Sequence, residues 1–281
     1  MGLCYNSSVG TLFLVATPIG NLEDITLRAL RILGEVGLVA AEDTRRTRTL
    51  CERYEIRTPL LSYHEHNKTA RLPRLLQALE AGDVALVSDA GTPGLSDPGY
   101  ELVRAALAGG HVVTPIPGPS APVAALVASG LPSDSFVFVG YLPRRARERE
   151  RVLGEMAGEA RTLVLFETPH RLAASLKSMA EQLGPDRQAA ACRELTKLHE
   201  QILRGTLAEL GEHFQQQPPR GEITLVIAGR PPAQRWGTAE VRRALTERLE
   251  AGEPAAQAAR MVAAHSGWAR GEVYRLAMEE E

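Results

Sequence analysis

The sequence predicts an α/β protein: two α/β domains, the first built on a mostly parallel sheet, followed by a small helical extension. Three observations carry this reading. Strand-like and helix-like segments alternate from Thr11 to about Gly229, as successive βαβ units do. Several short apolar runs empty directly into loops of Gly, Pro and small polar residues, as buried strands do when their ends face a ligand crevice. Beyond Arg230-Pro-Pro-Ala233 the pattern from Thr238 to Met278 is purely helical. A turn-rich stretch, Gly130-Leu-Pro-Ser-Asp134, divides the rest, so the expected domains are 1–130, 131–232 and 233–281.

Taken in order, Leu12–Ala16 is the first strand and runs into Thr17-Pro-Ile-Gly-Asn-Leu-Glu-Asp24. A helix is expected over Thr26–Leu33, with Asp24 near its start as a cap. Leu38–Ala41 is the second strand and ends in Glu42-Asp-Thr-Arg45. Leu60-Leu61 opens a third, ending in Ser62-Tyr-His-Glu-His-Asn67, before a helix over Leu72–Leu79. Val84–Val87 is a fourth and leads into a loop holding Gly91, Pro93, Gly94, Pro98 and Gly99, with a helix from about Tyr100. Val112–Ile116 is a fifth, followed by Pro117-Gly-Pro-Ser-Ala121 and a helix over Ala121–Ser129. In the second domain, strands are expected at Phe136–Val139, Leu163–Phe166, Ala189–Cys192, Gln201–Leu203 and Ile223–Ile227. Helices are expected at Arg147–Met156, Arg171–Gln182 and Leu207–Phe214. In the tail, Ala255–Ala264, a Ser-Gly turn and Arg270–Met278 fit either a helix-turn-helix or a plain helical hairpin packed on the body.

Composition narrows the function classes. The 281 residues are 44% hydrophobic and 23% charged, with a formal net charge of −2, so any nucleic-acid binding must come from local basic patches. Cys4, Cys51 and Cys192 are widely spaced, which argues against a disulfide framework or structural zinc and fits a reducing cytosol. No apolar run approaches a membrane span, and no basic stretch precedes an apolar one at the N-terminus. Met1-Gly2 resembles a myristoylation start, but Asn6 stands where Ser or Thr is required. Neither GxGxxG after a strand nor GxxxxGK[ST] is present, which removes the usual dinucleotide and P-loop readings.

The strand ends hold the candidate chemistry. Asp89, Thr92, Ser96, Asp97 and Ser120 lie in Gly/Pro loops, where they can serve a polar, partly cationic ligand or act simply as turn formers. Glu42-Asp-Thr-Arg-Arg46 sets carboxylates beside guanidiniums at a strand end, either a substrate-positioning cluster or the acidic start of a helix. Ser62–Asn67 places two imidazoles two residues apart without a third metal ligand of clear spacing, so proton transfer or RNA contact is preferred to metal binding. Arg144-Arg-Ala-Arg-Glu-Arg-Glu-Arg151 is either a solvated helix face or a phosphate grip. Glu167-Thr-Pro-His-Arg171 and Arg193-Glu-Leu-Thr-Lys-Leu-His-Glu200 follow strands of the second domain and can close the crevice from the far side.

Seven segments, taken in order, resemble one family. They are Val15–Leu30, Ala41-Glu-Asp-Thr-Arg45, Ser62–Asn67, Ser88-Asp-Ala-Gly-Thr-Pro-Gly-Leu-Ser-Asp-Pro-Gly99, Pro117-Gly-Pro-Ser-Ala121, Glu167-Thr-Pro-His-Arg171 and Arg193-Glu-Leu-Thr-Lys197. Together they are similar to the ribosomal RNA small subunit methyltransferase I family of the tetrapyrrole methylase superfamily, over about Gly10–Gly229. The resemblance implies a tetrapyrrole-methylase-like fold with a mixed second sheet. It implies S-adenosylmethionine as methyl donor, held in the cleft between the domains, and a homodimer. It also implies methylation of a cytidine ribose 2′-hydroxyl in the decoding centre of 16S rRNA, on the 30S subunit. By motif, donor contacts fall at Ile19, Asp89, Gly91, Thr92, Leu95, Ser96, Ser120 and Ala121, joined by Phe166, Glu167, Arg193 and Thr224 of the second domain. The Met1–Val9 lead departs from the family, and the tail is Ala-rich and poor in Lys, which weakens an RNA-binding role for it.

Transfer of this kind needs alignment and an acceptor for the hydroxyl proton. The expected acceptor is Asp43, with Glu65 or His64 as rivals. The expected RNA contacts are Arg45, Arg46, His66, Arg144, Arg145 and Lys197. Two other classes compete: a small-molecule methylase of the tetrapyrrole type, and a ribosome-binding factor without catalysis.

Overall fold

The computed structural model describes residues 10–97, 99–231 and 236–280. The readings placed on Met1-Gly2, Cys4, Asn6, Pro98 and the end of the Arg230–Ala233 break lie outside the described residues.

The first sheet has five parallel strands: β1 (Thr11–Val15), β2 (Leu38–Ala41), β3 (Leu60–Ser62), β4 (Val84–Val87) and β5 (Val112–Ile116). Their order is β3-β2-β4-β1-β5. Strand alternation divides the core between two faces. Val15, Val39, Ala41, Ala85 and Val87 pack with α1 (Leu27–Glu35) and α2 (Thr44–Arg53). Leu12, Ala40, Val84 and Leu86 pack with α3 (Lys68–Ala81) and α4 (Tyr100–Ala108). The chain leaves β1 by α1 on one face, towards β2, and leaves β4 by α4 on the other face, towards β5. The adjacent pair β4-β1 is therefore the point where the winding reverses, and a crevice opens beyond its carboxyl ends. One expected cap is corrected here. Asp24 belongs to a short 3-10 turn capped by Asn21, while the Thr26 side chain accepts the Ala29 N–H at 3.1 Å and caps α1.

Helix α5 (Ala121–Ser129) follows β5 but packs on the second sheet. Ala125 and Leu126 join Val164, Ala190, Cys192 and Val226 in one apolar cluster, together with Ile19 of the first unit. Arg204 donates to the Ala128 and Ser129 carbonyls and fixes the helix end. The second sheet is mixed. Its strands are β6 (Phe136–Tyr141), β7 (Thr162–Glu167), β8 (Gln188–Arg193), β9 (Gln201–Thr206) and β10 (Ile223–Ile227), ordered β6-β7-β10-β8-β9, with only the β6-β7 pair parallel. Its other face is covered by α6 (Ala146–Met156), α7 (Pro169–Leu183) and α8 (Leu207–Gln216). Helices α9 (Thr238–Glu250), α10 (Ala255–Ser266) and α11 (Arg270–Glu280) pack on one another around Val241, Leu245, Val262 and Val273. Gly267, at φ +69°, turns α10 into α11. Among the described residues no helix is long and apolar enough to cross a membrane.

Candidate active site between the two sheets

A cavity of about 260 Å³ lies at the carboxyl ends of β1, β4 and β5, between the two sheets. The first unit contributes Ile19 after β1, Glu42 and Arg46 after β2, Asp89 to Asp97 after β4, and Ser120 to Pro122 at the start of α5. The second unit contributes Tyr141, Phe166, Cys192, Leu195 and the segment Glu222-Ile223-Thr224. The loops after β1 and β4 are pinned to each other: Thr17 and Gly91 exchange both backbone hydrogen bonds, at 2.9 and 3.0 Å. Gly91 has φ +82°, a conformation that favours glycine, and a Cβ there would meet Ile19 Cγ2 at 3.4 Å. The β1 loop also docks across the cleft, where the Asn21 N–H donates to Thr196 Oγ1 at 3.0 Å.

The floor of the cavity is acidic and internally ordered. The Asp89 N–H donates to Glu42 Oε2 at 3.2 Å, and the Asp43 N–H donates to Asp89 Oδ1 at 2.9 Å, so the ends of β2 and β4 are laced together. Arg46 Nη1 stands 3.5 Å from Asp89 Oδ2. Burial raises the Glu42 carboxyl above its ordinary range, and the nearby Asp89 charge adds to this. Burial, reinforced by the Glu42 charge, pushes Asp97 up to about 6. Asp43 behaves in the opposite way. Its side chain caps α2 and takes two hydrogen bonds from the Arg45 guanidinium, at 3.0 and 2.7 Å, which hold its carboxyl down to about 2. Asp43 lies outside the cavity wall, and Glu42 is part of it.

Ten of the twelve donor-contact positions expected from the sequence line this one cavity: Ile19, Asp89, Gly91, Thr92, Leu95, Ser96, Ser120, Ala121, Phe166 and Thr224. Glu167 and Arg193 do not. Alternation along β7 turns Phe166 to the cavity and Glu167 to the opposite face, where Glu167 accepts from Ser175 Oγ and pairs with Arg171 at 3.3 Å. The same parity on β8 brings Cys192 to the cavity and leaves Arg193 bonded to Gln201 and the Arg220 carbonyl. Glu65 is exposed and paired with Lys68 at 2.8 Å. His64 lies near Glu42, and among the described residues no hydrogen-bond partner is set on its enclosed Nδ1. His66 sits beside it, ring centroids 6.0 Å apart. Arg45, Arg144 and Arg145 are exposed, Arg145 beside Glu148. Lys197 reaches Glu194 at 2.8 Å and Glu222 at 3.0 Å, which brings it to the rim. Among the described residues no three His, Cys, Asp or Glu side chains are grouped to hold a metal ion.

Two wall residues carry no motif and were not singled out from the sequence. Tyr141 ends a strand two residues longer than its apolar run suggests; the residue is 54% exposed, its ring tilts against Phe166 at 5.4 Å, and Phe166 in turn meets Phe138 edge-on at 5.2 Å. Glu222 precedes β10, and only its position in the sheet shows that it faces the cleft.

Known proteins share both the sequence and the architecture. The model of the family described as Tetrapyrrole (Corrin/Porphyrin) Methylases matches residues 11–211. The chain is 47% identical over 276 residues to ribosomal RNA small subunit methyltransferase I of Synechocystis sp., covering 97% of this chain and 99% of the relative. It is 49% identical over 270 residues to the protein of that name from Mesorhizobium japonicum, covering 95% and 91%. Among solved structures it is similar to uroporphyrin-III C-methyltransferase from Thermus thermophilus complexed with S-adenyl homocysteine. That match has TM-score 0.56 and 23% identity, and covers 78% of this chain and 97% of the other. The chain belongs to the tetrapyrrole methylase family, in its branch of ribosomal RNA small subunit methyltransferases I.

Proposed function

We propose that this chain methylates the 2′-hydroxyl of a cytidine in the decoding centre of 16S rRNA, on the 30S subunit, with S-adenosylmethionine as donor. The observation that carries the proposal is the gathering of ten donor-motif residues into one cavity at the switch point of the first sheet. The walls suit the donor. Ile19, Leu95, Ala121 and Phe166 offer apolar surface for a purine ring, and the Asp89 and Asp97 carboxylates suit a cationic sulfonium and ammonium. Gly91 lets the backbone come close, and the start of α5, where Ser120 makes no side-chain cap, leaves backbone N–H groups open to polar atoms.

When bound, the donor supplies a methyl group already attached to a good, neutral leaving group. The protein's task is then to align, to exclude water and to take one proton. The β1 and β4 loops and the start of α5 fix the donor side. The second sheet closes the cleft through Phe166, Thr224 and Tyr141. Arg46, the exposed Arg45 and the rim residue Lys197 offer cations for the RNA backbone; Arg144 and Arg145, following Tyr141, extend that rim, and His66 adds a further polar contact. In this division of labour residues 1–130 carry the donor loops, 131–232 close the cleft, and 233–281 add the helical extension. The chain acts as a homodimer in the cytoplasm. Exposed Tyr100, Leu107, Val123 and Val127 on α4 and α5, together with β5, the edge strand among the described residues, supply apolar surface for the second copy.

The test uses purified protein, labelled donor and 30S subunits from a strain lacking the gene, with nucleoside mass spectrometry of the 16S rRNA. New 2′-O-methylcytidine is the expected product. No transfer to 30S subunits or free 16S rRNA, by protein that binds the donor in calorimetry, moves the acceptor to a small molecule. Failure to bind the donor leaves a non-catalytic ribosome-binding role.

A further inference from the structure

Resting on that reading, we propose that Glu42 is the catalytic residue that takes the proton from the acceptor hydroxyl, in place of its neighbour Asp43. Four carboxylates line the cavity: Glu42, Asp89, Asp97 and Glu222. Asp89 is engaged on both oxygens, by the Asp43 N–H and by Arg46. Glu222 is paired with Lys197 through Oε2. Glu42 accepts the Asp89 N–H on Oε2 only, and among the described residues no donor is set on Oε1. That single backbone bond holds the side chain in place and leaves Oε1 available to accept a proton.

Position separates Glu42 from Asp97. Glu42 directly follows β2, one residue before the Asp43 cap of α2, and α2 carries Arg45 and Arg46 on its first turn. An RNA phosphate held by these guanidiniums brings its ribose to Glu42 first. Asp97 lies on the β4 loop, where the Ser88 hydroxyl engages it, and follows Ser96, whose Oγ would sit 3.1 Å from a Cβ on Gly140 of the second sheet. Asp43, by contrast, has both oxygens bound to Arg45 and lies off the cavity.

The step balances. The hydroxyl O–H bond breaks and its proton passes to the Glu42 carboxylate. The oxygen lone pair forms the new O–C bond, and the pair of the broken C–S bond stays on sulfur. One positive and one negative charge are consumed together, leaving an ether, a thioether and a neutral carboxyl. The groups facing Glu42 are Asp89, Asp97, Arg46 and His64; burial and the Asp89 charge raise its proton affinity above that of an ordinary carboxylate, against the lowering by the Asp89 N–H, Arg46 and His64.

The test compares the full chain with Glu42→Gln and Asp97→Asn by donor calorimetry, 30S co-sedimentation and single-turnover transfer between about pH 5 and 9. Gln retains an acceptor for the Asp89 N–H, so donor and subunit affinity should stay within about threefold of the parent. The transfer rate should fall about 10²–10³-fold, and the rise of rate with pH should vanish. Asp97→Asn removes a like charge, so its pH limb should move to lower pH and persist. A Glu42→Gln rate within about threefold of the parent, with the limb intact, overturns the assignment. So does loss of the limb in Asp97→Asn or Asp43→Asn while Glu42→Gln keeps it. If Glu42→Gln does not fold, Glu42→Asp decides: a slower rate with a displaced limb supports the proposal, and an unaltered limb overturns it. A parent that binds donor but methylates no RNA removes the functional reading itself.

Discussion

At the residue scale the site turns on two acids held above their ordinary proton affinity and one held below it. Asp97 is pushed up to about 6 by burial and the Glu42 charge, so the folded protein binds that proton more tightly than the unfolded chain does. Its contribution to stability is therefore full below about pH 4 and is lost as the pH rises through about 6. Unscreened, a shift of this size corresponds to about 3 kcal/mol, and contact with solvent reduces it to about 1 kcal/mol. Asp97→Asn should accordingly raise the melting temperature by about 2–4 °C at pH 7.5 and leave it unchanged at pH 4.5. Equal melting of the two proteins at both pH values would show that Asp97 ionises as freely in the fold as outside it. Residue identity alone did not separate Glu42 from Asp43. Both are acids at one strand end, and the choice depends on the pairing of β2 with β4, which sets Asp89 against both of them. The same holds for Phe166 and Glu167, and for Cys192 and Arg193. A motif names the pair, and the pleat decides which member sees the cavity.

At the element scale, the strands β2, β4, β5 and β10 and the helix α5 match the sequence expectation residue for residue, because apolar runs bounded by Gly and Pro are local signals. The packing of α5 on the second sheet is not local. Nothing in Ala121–Ser129 says which sheet it will cover; Ala125 and Leu126 fit because Ala190, Cys192 and Val226 converge there from two distant strands. The crevice is likewise held by contacts between elements far apart in the chain. A Cβ at Gly20 would come 2.4 Å from Lys197 Cγ and 2.9 Å from the Leu195 carbonyl oxygen, so the β1 loop and the 195–197 segment touch only because position 20 has no side chain. Gly20→Ala should force the two apart, cost about 1 kcal/mol of stability and weaken donor binding about tenfold, as read by thermal unfolding and calorimetry. Ile19 and Leu195, both in the cavity wall, transmit the change. A Gly20→Ala protein with parental donor affinity would show that the cleft does not depend on this contact.

At the scale of the whole molecule, two sheets share one cavity, and the described tail residues build a core of their own. Its helices close their own core of Val241, Leu245, Ala258, Ala259, Val262, Val273 and Ala277. They are tied by bonds internal to the tail: the Trp236 N–H donates to the Ser266 carbonyl at 2.9 Å, and Trp268 Nε1 donates to the Trp236 carbonyl at 2.7 Å. Among the described residues, none of the tail appears in the clusters that hold either sheet or in the cavity wall. The helical pattern was legible from the sequence, but whether these helices lie on the body was not, since an apolar stripe does not name the surface that covers it. The arrangement separates two roles that activity alone would merge. If the tail serves only to dock the ribosomal subunit, a chain ending at Arg230 should keep its cooperative unfolding and bind the donor within about threefold of the full chain, because every wall residue and both sheet cores remain. Its transfer to 30S subunits should then suffer through KM, with kcat nearly unchanged, since the groups that align and deprotonate the acceptor are intact. A truncated chain that loses donor affinity would mean that the tail supports the cleft. One that keeps both donor affinity and KM would place subunit recognition wholly on the arginine rim of the cavity.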